Sequence, residues 1–297
     1  MHLNLFAATL TLAGALTLSP LAHAEDSSGT LPINGLEMFY EIHGDGEPLV
    51  LLHGAYMSND VNWAGLIPAL AQEHKVIAVE LQSHGRTTDR DTPITYEGMA
   101  DDVAALLDAL EIEKAAVFGY SMGGAAAIRL AIDHPEKVTR IVAASGGYVY
   151  NEEVMGPEFM QMIDSITPEM FENTPFSAEF KRLNPHPENF PVLVEKLKQL
   201  DKTTFDWREE FKKISVPSLY IYGDADIVPI EFAARQHREA GGIVNGDMNG
   251  LPKTQLLVLP GTSHIGVFFN PTNIEIMKLV VPAFLKQQLP AAPQMPS

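Results

Sequence analysis

The chain contains no cysteine, which excludes a disulfide framework and a thiol nucleophile. Positive charge is scarce: 20 Lys and Arg stand against 38 Asp and Glu, a formal net charge of -18 with no long basic run. Such a field repels phosphate backbones, so neither nucleic acid nor an anionic membrane surface is an expected partner. No H-E-x-x-H or cysteine cluster is present, the histidines are scattered, and no G-x-G-x-x-G follows a strand. Neither a metal nor a nucleotide cofactor is therefore expected. No membrane span is expected either, since the apolar stretch Leu3 to Leu18 is short and interrupted by Asn4, Thr9, Thr11 and Thr17.

That stretch resembles something else. It leads into Ser19-Pro20 and then Ala22-His23-Ala24 before Glu25-Asp26, an apolar core ending in an A-x-A cleavage pattern. The pattern predicts a secretory signal peptide over residues 1–24, although the segment before it carries no Lys or Arg. Export from a bacterium, to the periplasm or the medium, is the expected destination.

The remainder has ordinary globular proportions, with 46% apolar and 20% charged residues in 297, enough for a sizeable core. Leu36–Ile42 alternates between Asn34-Gly35 and Gly44-Asp45-Gly46, as a strand in an antiparallel opening does. Leu49–Leu52, Val76–Val79, Ala115–Phe118 and Ile141–Ala144 are continuous apolar runs, the mark of strands buried on both faces, and Pro217–Tyr222 and Gln255–Leu259 are read as further strands. Helices are predicted over about Met99–Leu110, Ser121–His134, Pro229–Arg238 and Asn273–Gln288. This β-α-β alternation predicts an α/β fold with a mostly parallel central sheet flanked by helices.

From 146 to 215 the pattern changes to Met, Phe and Pro, with a helix start at Thr167-Pro168-Glu169 and helical spacing through Phe190, Leu193, Val194, Leu197 and Leu200. A helical insertion over 146–215, capping a core built from 25–145 and 216–289, is the expected organisation. Gly241 to Gly250 is read as a loop and 290–297 as a disordered tail.

One motif stands out within this frame. Gly119-Tyr120-Ser121-Met122-Gly123 joins the run Ala115–Phe118 to the small-residue helix beginning Gly124-Ala125-Ala126. A serine at a tight strand-to-helix corner, with glycines two residues either side, has its Oγ pushed outward. A serine hydroxyl needs a base, a group that orients the base, and two N–H donors for a developing oxyanion. In open α/β sheets these are sought at the carboxyl ends of strands. His264, in the loop after the last strand run, is the candidate base. Of the others, His2 and His23 lie in the leader, His74 and His134 are read at helix ends, His237 in a polar helical run and His186 in the insertion. Asp224 and Asp226 both follow the preceding strand, Asp224 also suiting an Asx-type turn. Met122 and, in the loop Leu52-His53-Gly54-Ala55, Ala55 are the candidate oxyanion donors, with His53 expected to brace that loop.

Together His53-Gly54, Gly119-x-Ser121-x-Gly123, Gly223-Asp224-Ala225-Asp226-Ile227-Val228-Pro229 and Gly261-Thr262-Ser263-His264 resemble the α/β-hydrolase superfamily, in its order Ser…Asp…His, over about Leu31 to Leu289. The nearest flavour is that of carboxylesterases, lactonases and cofactor-free perhydrolases. The resemblance implies Asp226 as the acid, three residues after the glycine, and equates the insertion with the family's lid. Serine at 121 sets the chain apart from the dehalogenases and epoxide hydrolases that use Asp there. Many relatives carry Asp where Glu80 stands and Gly where Ser83 stands. The implied activity is that of a secreted serine hydrolase on a small-molecule carboxylic ester. A lactonase, a carbon–carbon bond hydrolase and a non-catalytic ligand-binding protein are the alternatives. Pattern alone assigns no oligomeric state.

Overall fold

The computed structural model describes residues 26–287; the predicted leader over 1–24 and tail over 290–297 lie outside the described residues. Ten strands are described: β1 (Ser27–Ile33), β2 (Leu36–His43), β3 (Glu47–Leu52), β4 (His74–Val79), β5 (Ala115–Tyr120), β6 (Val138–Ala144), β7 (Val149–Tyr150), β8 (Phe205–Asp206), β9 (Ser218–Ala225) and β10 (Thr254–Ser263). Eight of them form one sheet in the order β1-β2-β4-β3-β5-β6-β9-β10. The β1/β2 and β2/β4 pairs are antiparallel, and every pair from β4/β3 to β9/β10 is parallel. His74 opens β4 rather than closing a helix, a correction to the sequence reading: it pairs with Glu47 in the parallel ladder.

The unbroken apolar runs have a simple cause. Successive side chains of a strand point to opposite faces, and here both faces are covered. Val50, Leu52, Val117, Ile141, Ala143, Tyr220 and Tyr222 enter one core cluster. Leu49, Leu51, Phe118, Val142, Ala144, Leu219 and Ile221 enter the other. Each fully buried large side chain contributes on the order of 1.5–3 kcal/mol. A polar residue at any of these positions would strand a polar group in one core or the other.

Helices Tyr96–Ala109 and Met122–Asp133 cover the first face and Pro271–Lys286 the second. Thr95 caps the first of these by accepting from the Gly98 N–H at 3.0 Å. Between β6 and β9 the chain leaves the sheet. It forms helices Pro157–Asp164, Pro175–Leu183 and Phe190–Lys202, several single turns, and the small antiparallel pair β7/β8. The predicted helix at Thr167 is a single 3-10 turn, Pro168–Phe171, which the chain leaves at Glu172 (ψ 131°) before Asn173 at φ 63°. Full helix begins at Pro175, where Thr174 supplies the cap that Thr167 does not. The loop over 241–250 contains one short turn, Gly246–Asn249.

Candidate active site

Ser121 stands between β5 and the helix Met122–Asp133 at φ 53° and ψ -115°, a backbone conformation strained for any residue with a Cβ. The corner is possible because its neighbours are glycines. A Cβ on Gly119 would fall 1.9 Å from the Gly123 carbonyl oxygen, and one on Gly123 would fall 2.1 Å from that of Leu52. The strand and helix thus approach each other closely, and Ser121 is left facing a cavity of about 300 Å3.

His264 follows β10, with Nε2 2.9 Å from Ser121 Oγ. Its Nδ1 lies 2.7 Å from Asp226 Oδ1. An ionised carboxylate only accepts, so Nδ1 carries the imidazole proton and Nε2 is free to accept from the serine hydroxyl. The Asp226 side chain is wholly buried. Burial raises its pKa, but the bond and charge of His264, the Ser145 hydroxyl and the Val228 N–H outweigh burial and hold it below the usual carboxylate range. Ser145 donates to Asp226 Oδ2 at 2.5 Å from a left-handed position, φ 51°, at the end of β6. Its role is invisible in the sequence because its partner lies 81 residues away.

Asp224 does different work. Its Oδ1 accepts from the Thr262 N–H at 2.9 Å. The backbone N–H groups of Gly261 and Thr262 hold its exposed carboxyl below the usual range. It thereby ties β9 to the stretch that presents His264, while Asp226 meets the imidazole. Two further groups fix that stretch. Tyr120 OH donates to the His264 carbonyl at 2.8 Å, and Asn273 Nδ2 donates to Thr262 Oγ1 at 3.0 Å and to the Gly266 carbonyl at 2.9 Å.

Opposite the histidine, Ala55 and Met122 line the same cavity. Among the described residues neither backbone N–H donates to another protein group. The next amide along, Tyr56 N–H, is taken up by His84 Nε2 at 3.2 Å. The loop bearing Ala55 is braced by His53, whose Nδ1 meets the Gly54 carbonyl at 2.8 Å and whose Nε2 accepts from Leu81 N–H at 3.0 Å. Burial, helped by the His84 charge, pushes the His53 pKa down to about 3, so this imidazole is neutral.

The turn after β4, which carries Glu80 and Ser83, is firmly held. Ser83 adopts φ 64°, the conformation glycine favours. Glu80 accepts from Arg86 Nη1 at 2.7 Å, and Arg86 also pairs with Asp60 at 3.0 Å. Among the described residues no group of three or more His, Asp or Glu is placed to hold a metal ion. No helix among them is long and apolar enough to cross a membrane.

This architecture and this corner define a family. The family model described as the alpha/beta hydrolase fold matches residues 47–200, and the chain belongs to that family. Among curated relatives, the pimeloyl-[acyl-carrier protein] methyl ester esterase of Legionella pneumophila is 30% identical over 208 residues, 65% of this chain and 81% of its own. The dihydrolipoyllysine-residue acetyltransferase component of the acetoin cleaving system of Pseudomonas putida is 29% identical over 248 residues. That match covers 76% of this chain and 61% of the relative. Of solved structures, the enol-lactonase of Burkholderia xenovorans superposes with a TM-score of 0.65 at 22% identity, over 87% of this chain and 100% of that one. At that identity the likeness is one of fold.

Proposed function

We propose that the protein is an exported serine hydrolase that cleaves small carboxylic esters through an acyl-enzyme on Ser121. The observation that carries this reading is the continuous relay Ser121 Oγ to His264 Nε2 at 2.9 Å and His264 Nδ1 to Asp226 at 2.7 Å, opening on an apolar cavity. The esterase among the curated relatives supports the choice of bond.

Ser121 Oγ attacks the ester carbonyl as its proton passes to His264 Nε2, and Asp226 stabilises the imidazolium that results. The carbonyl oxygen becomes an oxyanion held by the Ala55 and Met122 amides, each such donor being worth on the order of 10²–10³ in rate. Collapse expels the alcohol, which takes the proton from His264. Water then repeats the sequence on the acyl-enzyme, releasing the acid and restoring Ser121. The segment between β6 and β9 supplies Met155, Phe159, Phe171, Phe176, Leu197 and Leu200 to the cavity, the part of a lid that shapes the acyl or alcohol pocket.

The test is steady-state hydrolysis of p-nitrophenyl esters from acetate to octanoate by the wild type and Ser121→Ala. The wild type is expected to turn over repeatedly. The variant is expected to fall by about 10⁴–10⁶ in kcat with its fold intact, and near-native activity would overturn the mechanism. Turnover of lactones but of no open ester would make it a lactonase. Export belongs to the same proposal: mass spectrometry of the exported protein is expected to find Glu25 at its N-terminus, and an intact Met1 would refute cleavage.

A further inference from the structure

The cavity that receives Ser121 is apolar along most of its wall, but it contains one carboxylate outside the triad. Asp201, near the end of helix Phe190–Lys202, lines it. No Lys or Arg lines the cavity among the described residues, and His264, its only basic side chain, is engaged with Asp226. Asp201 therefore faces an interior that provides no countercharge.

Around it are aromatic rings. Tyr56, Tyr96 and Tyr150 line the same cavity, and the nearby Asp201 charge adds to burial in raising the pKa of all three phenols. The hydroxyls of Tyr56 and Tyr150 are buried with no hydrogen-bond partner among the described residues. Tyr56 stacks on Phe171 with ring centres 4.4 Å apart, and Phe205 meets Tyr96 at 5.1 Å and Tyr150 at 5.9 Å. Tyr56 also follows Ala55 directly in the chain, which ties this polar patch to the reaction centre.

We propose that Asp201 with Tyr56, Tyr96 and Tyr150 forms a cation subsite that accepts an alkylammonium group carried by the substrate. This deepens the ester-hydrolase reading and rests on its assignment of the cavity as the substrate site. A carboxylate supplies the charge and three phenol rings line the same cavity, a setting that suits a weakly hydrated organic cation better than a neutral donor. A protein of net charge -18 draws such substrates toward it. Without a ligand cation, burial pushes the Asp201 carboxyl up to about 7, so a bound ammonium supplies the partner that the fold withholds.

The experiment is calorimetric titration at pH 8 of the full chain with choline and with its uncharged isostere 3,3-dimethylbutan-1-ol. Wild type is expected to bind choline at least tenfold more tightly, and Asp201→Asn to bring the two to within about twofold. Equal affinities in the wild type, no binding of choline up to millimolar concentration, or a preference that survives Asp201→Asn would each overturn the subsite. The wild-type ratio decides if the variant does not fold. Turnover of p-nitrophenyl acetate by the same wild-type sample is a separate readout. Its absence would defeat the ester reading, while the subsite still stands or falls on binding.

Discussion

The sheet and the segment between β6 and β9 meet over one cavity, yet they are built on different terms. The strands that carry Ser121 and Asp226, and the loop before Ala55, belong to an interior where side chains such as Phe118, Leu52 and Val142 have no exposed surface. The inserted segment rests on three helices of 8 to 13 residues joined by single turns and the pair β7/β8, and it leaves Met162 and Met170 about half exposed. Atoms that must stay within hydrogen-bond reach during a reaction sit on the first region. The second supplies about half of the cavity wall, Met155, Phe159, Phe171 and Phe176 among it. Chemistry demands a fixed geometry, whereas selectivity tolerates, and can use, an adaptable wall of Met and Phe.

The sharpest way to break this division is at the two carboxylates of the β9 loop, which differ in what they touch. Asp226→Asn leaves the shape of the site but removes the charge that fixes the His264 tautomer. It is expected to lower kcat by about 10⁴. Asp224→Asn keeps an oxygen for the Thr262 N–H and is expected to stay within about threefold of wild type. Ester kinetics on the two variants side by side would check this, and the reverse order would move the acid to Asp224.

A comparison of phenylalanines tests the same division through stability. Phe118 is fully buried, between Trp63 at 4.9 Å and Phe268 at 6.1 Å. Phe118→Ala leaves a cavity in the second core and is expected to cost about 3–5 kcal/mol in denaturant unfolding. A loss under 1 kcal/mol would mean that this core is far less tightly packed than the contacts imply.

The contrast between regions also explains what could be read from sequence. Strands were legible because burial on both faces leaves no room for polar residues, and β5 shows this at all six positions. The corner at Ser121 was legible because only glycine fits at 119 and 123. The choice between Asp224 and Asp226 needed family resemblance, since both follow the same strand and only the three-dimensional path of β10 separates their partners. Ser145 left no local trace. Asp201 left a faint one: it falls four residues after Leu197 and seven after Val194, on the flank of an apolar helical stripe, where an acid is out of place. Strand β1 and the pair β7/β8 were missed because their hydrogen bonds, more than their composition, define them.

Acid offers a third test, directed at the loops under the site. His53 and His84 are fully buried. Burial first, then the charge of its neighbour, pushes the His53 pKa down to about 3, and burial pushes the His84 pKa down to about 4. Both folded values lie below the ordinary 6.5, so the unfolded chain binds more protons between them. The stability these neutral imidazoles confer is complete above 6.5 and is lost as pH falls below it. The expected loss is about 2 kcal/mol per histidine by pH 5. Thermal melts from pH 8 to pH 5 would read it, and replacing His84 with Gln should flatten the profile. An unchanged slope would place the acid-sensitive groups elsewhere.

The smallest expected effect bears on the inserted segment itself. Phe171 is partly buried, lines the cavity and stacks on Tyr56 at 4.4 Å. On the ester-hydrolase reading Phe171 meets the substrate in both ground and transition states, so Phe171→Ala is expected to remove binding that the two states share. KM is expected to rise by roughly tenfold for the longer p-nitrophenyl esters with kcat within about threefold, and acetate should change least. The unfolding free energy should fall by less than for Phe118→Ala, since the vacated space opens on the cavity rather than on a sealed core. A fall in kcat equal to that in kcat/KM would show that Phe171, through Tyr56 and the adjoining Ala55 amide, acts on the transition state. The inserted segment would then belong to the catalytic geometry and not only to the wall.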